Sequence, residues 1–200
     1  MSTNQNKLQL FEVPQIESIQ DLLIKSTKTY ANKIALEDLN DFPISKLTYS
    51  ELYDHTVRFG IALQKIGIKP RDHIAVIGEN RVQWAIAFLS AMMFDFVVVP
   101  VDKGLPPGDI LNIIHESDAT TLIFSGSLME LFKYKVDVLV KVKYYICMDT
   151  EKKENDIFSM TELIKNESSI NFQLPKINPN DVAEIIYTSG SLGRAKGVML

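Results

Sequence analysis

The chain has 200 residues, 46% of them hydrophobic, and a formal charge of -4. That is enough apolar material for the core of one soluble domain or of a piece of a larger one. Lysines and aspartates are interspersed, so the basic stripe that nucleic-acid binding requires is missing and no nucleic-acid partner is expected. The lone Cys147 rules out a disulfide framework and a paired-cysteine metal site and fits a reducing compartment; within YYICM it reads as a small buried apolar residue.

Residues 1–13 form a polar tail without the continuous apolar run of a secretory signal, which points to a cytoplasmic protein. From Ser18 to Tyr30, Ile19, Leu22, Leu23 and Tyr30 recur at a moderate helical period. Lys33 to Glu37 and Lys46 to Thr48 are short strand candidates around a polar turn at Asn40 to Pro43. Thr48-Tyr49-Ser50-Glu51 has the form of a capping box and opens a helix whose face is Leu52, Phe59, Leu63 and Ile66, with Gly67 as a left-handed stop.

After the turn at Lys69 to Asp72, His73 to Ile77 reads as a buried strand, Asn80 as the cap of a helix from Arg81 to Phe94, and Phe96 to Val99 as the next strand. The apolar stretch from Trp84 to Val101 is interrupted by Ser90, Asp95 and Pro100, which favours a buried helix over a membrane span while leaving room for peripheral membrane contact. Trp84, Ile86, Phe88 and Leu89 read as core rather than as a pocket lining. Pro106-Pro107-Gly108 opens a helix to His115; Thr120 to Phe124 and Val142 to Met148 are strands; Asp149 to Asp156 is a loop; Phe158 to Lys165 is a short helix; and Val182 to Tyr187 is the last strand. Alternating helices and strands predict an α/β domain with a largely parallel sheet and flanking helices.

His55, His73 and His115 have no ligand-type neighbour at i+4, and no GxSxG elbow occurs, so neither a zinc-protease nor a serine-hydrolase reading has an anchor. The stretch IIYTSGSLGRAKGVML, residues 185 to 200, is different. Glycines let backbone N–H groups converge on phosphate oxygens, while hydroxyls and a lysine add donors and positive charge. Thr188, Ser189, Gly190, Ser191, Gly193, Lys196 and Gly197 are the candidates for that task. Neither GxxxxGK[ST] nor GxGxxG fits. A glycine-rich hairpin without a ligand is the plainer alternative.

YTSGSLGRAKGV, from Tyr187 to Val198, resembles the phosphate loop YTSGTTGxPKGV of the adenylate-forming, AMP-binding enzymes. The segments 47–80 and 97–126 resemble the opening of the same family, most of all its long-chain fatty acyl-CoA synthetases. The resemblance implies a partial AMP-binding N-terminal domain over residues 14–200. It also implies a reaction in which a fatty acid carboxylate and ATP give acyl-AMP, and CoA then displaces AMP. It would set Thr188, Ser189, Gly190, Ser191, Gly193, Lys196 and Gly197 around the ATP phosphates, with the Thr188 hydroxyl associated with Mg2+. The catalytic residues are left unassigned.

Leu192 stands where the motif has threonine, which removes a hydroxyl worth about 1.5 to 3 kcal/mol when bonded to a charged oxygen. Ala195 replaces the motif proline, at about 0.4 to 1 kcal/mol in chain entropy. The family's remaining ATP contacts and its mobile C-terminal domain are expected beyond Leu200, which makes the chain, on this resemblance, an N-terminal fragment inactive alone. Two alternatives stay open: an acyl-AMP ligase loading a carrier protein, and a non-catalytic binding or assembly module.

Overall fold

The computed structural model describes residues 15–39, 42, 45–133, 139–188 and 195–200. The polar tail and most of the turn at 40–43 therefore lie outside the described residues. Helix α1 (Ile19–Tyr30) starts at Ser18, whose hydroxyl accepts from the Asp21 N–H. Strands β1 (Ile34–Glu37) and β2 (Lys46–Thr48) pair antiparallel in a small sheet of their own. Helix α2 (Tyr49–Ile66) carries the expected capping box: Thr48 Oγ1 accepts from the Glu51 N–H at 3.2 Å, and Glu51 Oε2 accepts from the Thr48 N–H at 2.8 Å. Gly67 ends the helix at φ 113°, a conformation that a side chain would strain.

The main sheet is built from β3 (His73–Ile77), β4 (Val97–Val101), β5 (Thr121–Phe124), β6 (Tyr144–Cys147) and β7 (Ile157–Ser159), all parallel in the order β4-β3-β5-β6-β7. The alternation of a strand assigns its residues to two cores. Ile74, Val76, Val98, Ile123 and Ile146 face α2, α3 (Val82–Met93) and α6 (Met160–Lys165), whereas Ala75, Ile77, Val99, Leu122, Phe124 and Cys147 face α4 (Pro107–Glu116). Apolar residues on both faces explain why these strands read as continuous apolar runs. The side chains of α3 pack as core: Ile86 is fully buried, and Trp84 and Phe88 stack at 5.3 Å against the same cluster. Among the described residues no helix is long and apolar enough to cross a membrane.

Three expectations are corrected. Asn80 does not cap α3; Arg81 occupies the cap position at φ -150°, and its side chain turns inward to an ion pair instead of capping. The segment from Phe158 to Lys165 is divided, because Ile157 to Ser159 pair with β6 and the Ser159 hydroxyl then caps α6 by accepting from the Glu162 N–H. The last strand shifts to β8 (Ile185–Thr188) and is followed by β9 (Lys196–Met199), with which it pairs antiparallel. A 3-10 turn at Gly126–Leu128 and a short helix α5 (Met129–Lys133) follow β5, where no element was expected.

Candidate functional site

The glycine-rich stretch begins in β8 and ends in β9, which pair antiparallel as a hairpin. Its register pairs Ile185 with Met199, Ile186 with Val198, Tyr187 with Gly197 and Thr188 with Lys196. Side chains alternate: Ile185 and Tyr187 turn inward against the α4-side core, while Ile186 and Thr188 are exposed. Thr188 and Lys196 are therefore opposite one another on the outer face, at the mouth of the connection, where facing Cβ atoms of an antiparallel pair lie about 5 Å apart. Neither the Thr188 hydroxyl nor the Lys196 ammonium is committed to a side chain among the described residues, so both are available to a ligand. Ser189, Gly190, Ser191, Gly193 and the substituted Leu192 lie outside the described residues.

The hairpin is attached to the main sheet beside β4. The Val98 N–H donates to the Ala183 carbonyl at 3.0 Å, Val98 and Glu184 form a parallel bridge, and the Leu200 N–H closes back onto the Glu184 carbonyl at 2.9 Å. This attachment carries the Thr188–Lys196 pair to the carboxyl end of the sheet, the end at which open α/β sheets bind their ligands.

That end also holds a charged network that the sequence did not reveal. The chain leaves β3 toward β4 on one side and returns to β5 on the other, so the loops after β3 and β5 flank a crevice. Glu79, after β3, accepts from Lys103 Nζ at 2.8 Å and from the Ser127 hydroxyl at 2.8 Å. Burial opposes ionisation of Glu79, yet the hydrogen bonds from Lys103 and Ser127 outweigh it and hold the carboxyl down at about 2. Arg81, whose side chain is fully buried, donates from Nη1 to Asp149 Oδ1 at 2.6 Å and from Nε to Gln83 Oε1 at 2.9 Å, with the Phe42 ring stacked 3.7 Å from its guanidinium. Asp149, after β6, also accepts from the Gly126 N–H at 2.5 Å and so ties three strand ends together. The only sequence signal was positional: each of these residues follows a buried strand.

The histidines take structural or exposed positions. His73 Nδ1 lies 2.6 Å from the Ser117 carbonyl and His55 Nδ1 lies 2.8 Å from the Glu51 carbonyl, while His115 is exposed. Cys147 is buried, and burial pushes its thiol up. Among the described residues no group of three or more His, Cys, Asp or Glu side chains is placed to hold a metal ion.

The sequence profile described as AMP-binding enzyme matches residues 23–200. The chain belongs to the AMP-binding enzyme family. Among curated relatives it is 27% identical over 207 residues to the probable acyl-activating enzyme 16 of Arabidopsis thaliana, covering 92% of this chain and 28% of that one. It is 26% identical over 200 residues to long chain acyl-CoA synthetase 5 of the same plant, covering 92% and 30%. Of the solved structures, a long-chain-fatty-acid-CoA ligase from Archaeoglobus fulgidus superposes with a TM-score of 0.82 at 25% identity, over 95% of this chain and 37% of that one. The chain thus spans about a third of the length of the family members it matches.

Proposed function

We propose that the AMP-binding enzyme containing this chain activates a fatty acid carboxylate with ATP and passes the acyl group to the thiol of CoA, in the cytoplasm. The observation that carries the proposal is the register of the hairpin, which sets the Thr188 hydroxyl opposite the Lys196 ammonium, both uncommitted among the described residues, on either side of the glycine-rich connection. A carboxylate oxygen attacks the α-phosphorus of ATP, the bond from that phosphorus to the bridging oxygen breaks, and pyrophosphate leaves with the electron pair. The thiol then attacks the acyl carbonyl and AMP departs.

In the first step, charge accumulates on the leaving pyrophosphate. Thr188, Ser189 and Ser191 would donate hydroxyl hydrogen bonds to it, Gly190 and Gly193 would let backbone N–H groups approach, and Lys196 would offset its charge. Donors fixed in place before a reaction meet developing charge without reorganisation.

Mg2+ is bound by six oxygens, ordinarily including one or two carboxylates and the substrate's phosphates. Thr188 supplies a single hydroxyl, and no carboxylate cluster stands among the described residues. These residues do not make a Mg2+ site by themselves.

The test is fatty-acid-dependent exchange of labelled pyrophosphate into ATP, measured on the longest natural chain that carries this sequence. Exchange that requires a fatty acid supports the reading, and absence of exchange with every carboxylic acid tried refutes it. Release of AMP on adding CoA, compared with adding a carrier protein, decides between the two thiol acceptors.

A further inference from the structure

Gly197 pairs directly with Tyr187 across the hairpin, on the inward face. A Cβ at position 197 would lie 2.9 Å from Ile185 Cγ2 and 3.2 and 3.3 Å from Tyr187 Cζ and Cε2. The first distance is one that packed Cβ atoms do not adopt, and the other two are tighter than ordinary contact. The bare backbone of β9 is therefore the surface on which the two inward side chains of β8 rest. Both side chains pack on the α4-side core, where burial pushes the Tyr187 phenol up and the carboxylates of Glu116 and Asp118 add to the effect. The outward residue next to each partner of this pair is the other pair of interest: Thr188 follows Tyr187, and Lys196 precedes Gly197.

We propose that Tyr187 and Gly197 are a positioning pair: the Tyr187 ring, seated on Gly197 and anchored to the core beneath α4, fixes the register that brings Thr188 opposite Lys196. Gly197 then acts through the ring and not by contact with the nucleotide, which departs from the direct role that the motif alone suggests for it. A one-residue slip in the pairing would turn Thr188 or Lys196 to the inward face, because side chains alternate along each strand. The inference rests on the phosphate-loop reading for its consequence in ATP binding, while the seat itself is independent of any ligand.

Two readouts on the longest natural chain carrying this sequence separate the seat from the phosphate reading. The first is amide hydrogen exchange in the segment 183–200 without nucleotide; the second is ATP affinity by calorimetry together with KM and kcat in the pyrophosphate exchange assay. Gly197→Ala is expected to speed exchange in the hairpin at least tenfold and to raise the Kd and KM for ATP at least fivefold, with kcat changed less than KM. Trimming the atoms it strikes, by Ile185→Ala or Tyr187→Leu in the Gly197→Ala background, is expected to recover at least half of the loss on a logarithmic scale. Lys196→Ala, which removes a charge and leaves the seat intact, gains nothing from the same trims.

Tyr187→Leu alone keeps the glycine and guards against misfolding of the alanine variant; it is expected to speed hairpin exchange and weaken ATP binding by less than half of the Gly197→Ala effect on a logarithmic scale. Failure of both trims to rescue Gly197→Ala would overturn the proposal and give Gly197 a direct role, as would normal hairpin exchange in both Gly197→Ala and Tyr187→Leu. If the unaltered chain binds no ATP, the phosphate reading fails, and the exchange measurements still decide the seat.

Discussion

The five-stranded sheet and the β8–β9 hairpin are made of similar apolar residues and are held in opposite ways. Ile74, Ala75, Val76 and Ile77 of β3 are fully buried on both faces, and the loops that follow the strands are tied to each other through Glu79, Arg81 and Asp149. The hairpin half-buries Ile185 and Tyr187 and leaves β9 exposed; Ile186 is 37% and Val198 46% exposed, and its backbone joins the sheet at Val98. The sheet is stabilised by its own two cores, whereas the hairpin is a presented element whose geometry depends on Ile185 and Tyr187 against the α4 side.

Asp149→Ala leaves the guanidinium of Arg81, with a side chain fully inaccessible to solvent, without its counter-charge and is expected to cost about 3 to 5 kcal/mol in chemical unfolding. Arg81→Ala should cost less, because Asp149 keeps 30% of its side chain exposed and can be rehydrated. Equal losses would show that the asymmetry in burial does not govern this pair. Leu192→Thr adds a hydroxyl to the proposed phosphate loop and should lower the apparent KM for ATP by about tenfold, the equivalent of a hydrogen bond of about 1.5 kcal/mol to a charged oxygen. Unchanged ATP kinetics would remove position 192 from the phosphate contacts.

A smaller effect is expected from Glu79. Its folded value of about 2 lies below the ordinary 4.5, so it favours the native state above the unfolded value and loses that contribution as the pH falls from about 5 toward 2. Solvent screening at this partly exposed group limits the contribution to about 1 to 2 kcal/mol. Glu79→Gln should flatten that part of the stability profile in unfolding midpoints taken between about pH 3 and 7, and a profile of unchanged slope would contradict the assignment.

The parts of the fold that were legible in the sequence are those decided by neighbours in the chain. The capping box at Thr48 and Glu51 and the stop at Gly67 are local geometry, and α2 runs between them as expected. The strands β3 to β6 stand out because both of their faces are apolar. β7 escaped notice because it is three residues long and its last residue, Ser159, also caps the following helix. The cap of α3 was misplaced by one residue because the side chain at that position is committed to Asp149, 68 residues away, a partner that spacing does not reveal. The candidate site divides similarly. Its residue types were legible as a motif, while the facing of Thr188 and Lys196, and the reason for a glycine at 197, appear only once the register and the inward face are known.

The hairpin is proposed to present Lys196 to the phosphates of ATP. Its most direct test is calorimetric titration of ATP into the longest natural chain carrying this sequence, as wild type, Lys196→Ala and Lys196→Arg, with native folding of each confirmed by circular dichroism. A loss of affinity of about tenfold or more is expected for the alanine variant, the size of one charge-assisted contact, and a smaller loss for arginine. An alanine variant that folds and binds ATP as tightly as the wild type would contradict it.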